Sequence, residues 1–227
     1  MTHPLDRPAW SALNSGQSHL AVGDDRAKRY AEGYAVFLAS ADDSAESLAA
    51  LAALNPPDGG LILMEARPAP LAPGMTEASR RDGVQMICSA LNPGPADLVF
   101  EDLTEADAPE MLALATLTRP GPFFDRTHRL GDFIGVKRDG CLIAMAGERM
   151  KLFGFTEVSG VCTHPDFRGQ GLAGAMMRIV TERILARGEQ AFLHAYAENT
   201  GAIGLYERLG FSIRTPVTVI VTGPKMV

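Results

Sequence analysis

The stretch from Val161 to Ala173, V-C-T-H-P-D-F-R-G-Q-G-L-A, limits most what this chain can fold into. A run that alternates like a strand, Phe155 to Thr163, precedes it. A helical period follows, with Leu172, Met176, Ile179, Val180 and Ile184 on one side and Gly188 at a C-cap position. The joint is therefore strand, turn, helix N-terminus, and the turn carries Arg168, Gly169 and Gly171. Glycines let the main chain approach a ligand closely, and the first N–H groups of a helix have no intrahelical partner. Such a joint suits an anion, to which the helix dipole adds about 0.3–1 kcal/mol at an exposed site.

Two phosphate motifs fail here. A Walker loop needs Lys and then Ser or Thr at its end, whereas Leu172 and Ala173 follow Gly171. Gly169, Gly171 and Gly174 match the G-x-G-x-x-G spacing of a dinucleotide site, yet neither Glu189 nor Glu198 ends a second strand convincingly, so a dinucleotide oxidoreductase is disfavoured. A third pattern covers more of the chain. R-x-x-G-x-A (Arg168, Gly171, Ala173), after V-x-T (Val161 to Thr163) and His164-Pro165, resembles the acyl-CoA pyrophosphate loop of the GNAT acetyltransferase superfamily. N-x-x-A-x-x-x-Y-x-x-x-G-F (Asn199, Ala202, Tyr206, Gly210, Phe211) resembles that superfamily's last helix and following strand, and the likeness extends over residues 97 to 222. The runs Gly147 to Met150, E-V-S-G-V-C-T-H-P and Leu193 to Tyr196 are most similar to its FR47-like group, related to glycine N-acyltransferases.

The remaining chain is read from its local signals. An apolar strand, Ala35 to Ala39, leads to a helix over Ser44 to Leu54, for which Asp42 or Asp43 is the candidate cap. Strands follow at Leu61 to Glu65 and Gly83 to Ser89, while residues 1 to 30 read as irregular, with Trp10 an anchor on the core. Asn92-Pro93-Gly94-Pro95 is the clearest linker. Beyond it come a strand from Asp97 to Asp102, a helix from Glu105 capped by Thr104, and a hairpin of Phe133 to Lys137 and Leu142 to Met150 turning at Asp139-Gly140. The expected organisation is a small N-terminal α/β domain over 1–95 and a second domain over 96–227. For the second domain the resemblance implies an α/β GNAT fold: a mixed, mostly antiparallel sheet flanked by helices.

A net charge of −6 argues against a general nucleic-acid binder, so an anionic ligand must be held by local groups. Three cysteines, Cys88, Cys141 and Cys162, form no disulfide framework and point to a reducing, cytoplasmic setting. No basic-then-apolar leader and no apolar run of membrane-spanning length is evident, so no membrane partner is expected. The five histidines, at positions 3, 19, 128, 164 and 194, show no metal-ligand spacing, and no metal is expected.

The resemblance implies acetyl-CoA, or another short acyl-CoA, as co-substrate and a primary amine of a small molecule or peptide as acceptor. It assigns Val161, Cys162, Thr163, Arg168, Gly169, Gln170, Gly171, Leu172 and Ala173, with Asn199, Ala202 and Tyr206, to the cofactor. Tyr206 stands at the superfamily's usual general acid. Moving an acetyl group to an amine requires the free base, although an alkyl ammonium has a pKa of about 10, and a carboxylate is a fitting proton acceptor. Glu157 lies eleven residues before Arg168, where histone acetyltransferases of this superfamily place their base, and its parity puts it on one face with Ser159, Val161 and Thr163. Glu148 is the reserve, as base or as a group binding the acceptor. Phe123 and Phe124 sit on the segment that in this superfamily often lines the acceptor site, with plain core packing the competing reading. The Cys162 thiol is set aside as a nucleophile, since its parity opposes Val161 and Thr163. A non-catalytic acyl-CoA sensor or interaction module on the same fold stays open beside the enzyme, as does a homodimer.

Overall fold

A computed structural model describes residues 3–67, 70–94 and 98–224. Helix α1 (Pro8–Leu13) begins with a proline, whose fixed φ suits the first helical position. Strands β1 (Ala21–Gly23), β2 (Ala27–Tyr30) and β3 (Leu38–Ser40) form a small antiparallel sheet. These elements replace the irregular segment expected over residues 1 to 30; runs of three to six residues are too short to display a period. Trp10 rests partly buried on the core, with Lys28 over its ring. Helix α2 (Ala45–Leu54) is capped by Ser44, whose hydroxyl accepts from the Ser47 N–H. Asp42, one of the two expected caps, instead accepts from the Ser44 N–H and holds the cap in place.

The main sheet contains β4 (Ile62–Glu65), β5 (Glu77–Cys88), β6 (Glu101–Leu103), β7 (Phe133–Arg138), β8 (Cys141–Leu152), β9 (Phe155–Thr163), β10 (Gln190–Tyr196) and β11 (Ser212–Thr222). Its order is β4-β11-β5-β10-β9-β8-β7-β6. Helix α3 (Ala108–Thr118) follows a 3-10 turn capped by Thr104 and Asp107, α4 (Leu172–Ala186) joins β9 to β10, and α5 (Thr200–Leu209) joins β10 to β11. Strand β5 lies between β10 and β11, antiparallel to both. The sheet therefore carries strands from both sides of residue 95, which itself falls outside the described residues, as does the expected strand start at Asp97.

Within this sheet β9 and β10 are the parallel neighbours, and they pair only from Phe155–Gln190 to Glu157–Phe192. Beyond Glu157, β9 continues along β8 while β10 continues along β5, so the two strands separate into a fork. Helix α4 packs Met176, Met177, Ile179, Val180 and Ile184 against Ile134, Ile143, Val158 and Leu193 of the sheet. Each such side chain contributes about 1.5–3 kcal/mol by burial.

A bulge shapes one limb of the fork. Between the pairs Gly147–Ser159 and Met145–Cys162, β9 carries one residue more than β8, and Gly160 there has φ +65°. A Cβ at Gly160 would lie 2.9 Å from the Phe133 ring, so both the conformation and the space call for glycine. The extra residue reverses the alternation. Val158 and Val161 both pack in the layer of α4, whereas Cys162 packs with Met111 and Leu114 on the other side. The expected common face of Glu157, Ser159, Val161 and Thr163 is thus split at Gly160. Among the described residues no helix is long and apolar enough to cross a membrane.

Candidate active site

Two adjoining cavities occupy the fork. The first, of about 410 Å³, is lined by Val161 to Thr163, by Phe167 to Gly174 and by Leu205, with Thr118 and Pro120 opposite. It contains the expected cofactor residues Val161, Cys162, Thr163, Arg168, Gly169, Gln170, Gly171, Leu172 and Ala173. Gly171 is the N-cap of α4 at φ +77°, and no side chain caps this helix. The first N–H groups of α4 thus remain for a ligand, as an anion requires. The Thr163 hydroxyl is buried without a hydrogen-bond partner among the described residues, a polar group that a ligand in this groove can satisfy. Arg168 is exposed beside it, its Nε 3.4 Å from the Thr163 carbonyl oxygen. The residues present therefore fit a phosphate-bearing acyl carrier. Burial raises the Cys162 thiol to about 11, which keeps it protonated and inert as a nucleophile.

The second cavity, of about 170 Å³, shares Pro120 and Val161 with the first. One wall is apolar and comes from Phe37, Ile62, Met64 and Val219. Its polar groups are Arg149, Ser159, His194, Tyr196, Asn199 and Tyr206. Tyr206 lines this cavity from α5, whose preceding residue Leu205 lines the first; burial raises the Tyr206 pKa, so it stays a phenol. Asn199 is the N-cap of α5, its side-chain oxygen accepting from the Ala202 N–H at 3.3 Å, which leaves its amide N–H groups for the cavity. Ala202 lines neither cavity.

Glu157 is placed otherwise than expected. Its side chain is fully buried and lines neither cavity. Arg149 grips it with Nε at 2.8 Å and Nη2 at 2.6 Å, and His194 Nδ1 lies 2.7 Å away. Burial alone would raise its pKa; the Arg149 guanidinium and the His194 hydrogen bond outweigh this and hold it at about 2. The carboxylate is thus closed off from both cavities and fully paired with Arg149 and His194, whose side chains it holds in place. On the far side of His194, Nε2 lies 3.0 Å from the Gln85 amide nitrogen, and Gln85 in turn donates to the Leu5 carbonyl and accepts from Arg214. Because the Gln85 oxygen is taken by Arg214, its nitrogen must be the atom facing His194, so the imidazole carries its proton on Nδ1 toward Glu157.

Glu148 is likewise enclosed by cations. Its buried carboxylate lies 2.6 Å from Lys151 and 2.7 Å from Arg187, which outweigh burial and lower its pKa, and it lines neither cavity. Phe123 packs edge-on against Phe133 at 5.8 Å and lines a small hollow with Arg149, Ser159 and Gly160, while Phe124 lines a separate surface hollow with Arg29 and Arg126. Neither ring lines the two cavities of the fork. Arg149, Ser159, His194 and the wall of Phe37, Ile62 and Met64 were missed. A signal existed for two of them: an Arg and a His inside otherwise apolar strands, with a Glu on the strand between, are residues that are rarely buried unless paired.

A forked α/β sheet with an uncapped helix at the fork defines a class of fold, and comparison with known proteins specifies it. The FR47-like protein family matches residues 134–219. A solved structure from Novosphingobium aromaticivorans, assigned to the GNAT family of acetyltransferases, is 41% identical, with 99% of this chain and 100% of that one covered at a TM-score of 0.91. The chain belongs to the GNAT acetyltransferase family, in its FR47-like group. Over 60 residues it is 40% identical to the mycothiol acetyltransferase of Corynebacterium aurimucosum, and over 57 residues 35% identical to an acetyltransferase of Pectobacterium atrosepticum. Those segments span 20% and 40% of the two curated relatives' lengths.

Proposed function

We propose that the protein transfers an acetyl group from acetyl-CoA directly to a primary amine, with the groove at α4 holding the CoA phosphates and the cavity beneath β10 holding the acceptor. The observation that carries this reading is that the two cavities share Val161 and Pro120 in their walls, with α5 lining the first through Leu205 and the second through Tyr206. Acetyl-CoA supplies a thioester, whose carbonyl the amine attacks. The acceptor must enter as the free base, and a cavity with no carboxylate among the described residues favours that form over the ammonium, whose proton passes to water. On collapse of the adduct the C–S bond breaks. Tyr206 donates its phenolic proton to the departing sulfur and is reprotonated by the proton leaving the amine nitrogen, so one N–H is exchanged for one S–H. Glu157 keeps Arg149 and His194 in place without touching either substrate.

The test is acetyl-CoA-dependent release of free thiol with amino acids, polyamines, aminoglycosides and short peptides, alongside a thermal-melt shift with acetyl-CoA. Thiol release with one pool, abolished in Tyr206→Phe while the melt shift persists, supports the reading. Absence of a melt shift refutes the assignment of the groove. A melt shift with no release from any pool would instead favour the non-catalytic sensor.

A further inference from the structure

The acceptor cavity has a charge pattern that selects among amines. Among the described residues lining it there is no Asp and no Glu, so nothing there is built to hold an ammonium or a chain of them. The ionic group present is Arg149. Glu157 occupies its Nε and Nη2, while Nη1 makes no hydrogen bond among the described residues and the side chain lines the cavity. The Phe37 ring, 4.8 Å from the guanidinium carbon, supports the flat face and leaves the edge to a ligand. The Asn199 amide adds further N–H donors from the start of α5. Glu157 neutralises the pair overall, but its fully buried carboxylate does not line the cavity, so a molecule there meets the unshared Nη1 of Arg149.

We infer that the acceptor is a small amine that also carries a carboxylate, namely a free α-amino acid with an apolar side chain. This rests on the transferase reading above. The carboxylate is held by Arg149 Nη1 and the side chain lies on Phe37, Ile62 and Met64. A cavity of about 150 Å³ accommodates benzene, so 170 Å³ suits a molecule of that scale. Polyamines and aminoglycosides bring several cations and no anion, and a peptide N-terminus has exchanged its carboxylate for an amide.

The test uses the wild-type protein, because removing Arg149 would strand a buried carboxylate and confuse binding with folding. Calorimetric titration compares L-leucine, L-methionine and L-phenylalanine with their carboxamides, with the matching decarboxylated amines and with spermidine. It is run on the free protein and on the protein saturated with CoA. At least one amino acid should bind about tenfold more tightly than both its amide and its decarboxylated amine, with spermidine weakest. Equal or tighter binding of the amides, preferred binding of spermidine, or no binding by any of the three amino acids overturns the assignment. CoA affinity is measured separately on the same preparation. Its loss would refute the transferase reading, whereas intact CoA affinity with the wrong acceptor ranking refutes only the amino-acid inference.

Discussion

The groove and the cavity meet at Pro120 and Val161 yet are built by different means. The groove is made mostly from one stretch, Val161 to Gly174, and offers main-chain N–H groups beside glycines at 169 and 171. The cavity is assembled from β4, β8, β9, β10, β11 and α5 and works through side chains held by a buried polar network. Local construction tolerates change in the rest of the chain. Assembled construction depends on it, because a buried charge that loses its partner is costly wherever the partner stands in sequence.

The largest effect that would sharpen this contrast is expected at Glu157. Glu157→Leu leaves the Arg149 guanidinium buried without its counter-charge and should destabilise the fold by about 3–5 kcal/mol in urea unfolding. Arg149→Met combined with Glu157→Leu should recover much of that loss, and failure to recover would mean that the pair is not the unit of stability. Acid acts on the same group. The Glu157 pKa is depressed from 4.5 to about 2 in the fold, so its contribution is full above pH 4.5 and is lost as the pH falls toward 2. A midpoint of urea unfolding that does not fall across that window would contradict the pairing.

Tyr206→Phe comes next, with kcat lowered about 100-fold and acetyl-CoA affinity nearly unchanged, as measured by single-turnover thiol release. In the groove, Gly171→Ala forces a Cβ into a left-handed backbone position, at a cost of about 1–2 kcal/mol. Acetyl-CoA affinity should fall about tenfold while acceptor affinity stays unchanged; an equal loss of both would break the separation of the two regions. The smallest effect belongs outside both regions. Ser44→Ala removes the α2 cap and should cost about 1 kcal/mol in thermal unfolding with no change in turnover.

The groove was legible because its signals are local. A strand period, a glycine turn and a helix period lie within some thirty residues, and β9 is found at Phe155–Thr163 as read. Asp139 and Gly140 turn the hairpin with φ of +52° and +78°, as the residue pair implied. The face of Glu157 was misread because alternation assumes an unbroken ladder, and one extra residue at Gly160 reverses every position after it. The apolar wall of the second cavity was hidden because Phe37, Ile62 and Met64 read as ordinary apolar strand residues, and nothing local says which strand of the sheet they stand near.

By itself, then, the order of residues determined the glycine-turn groove, the helices and strands around it and the place of Tyr206 on α5. Each of these depends on neighbours a few residues apart, where φ preference, capping and periodicity act. Only the tertiary structure decided that β5 enters the sheet between β10 and β11, that Glu157 is bound by Arg149 and His194, and that the cavity presents a guanidinium and, among the described residues, no carboxylate. Those outcomes turn on which distant side chains share a buried volume. Desolvation makes that pairing decisive, and it is settled when the sheet closes.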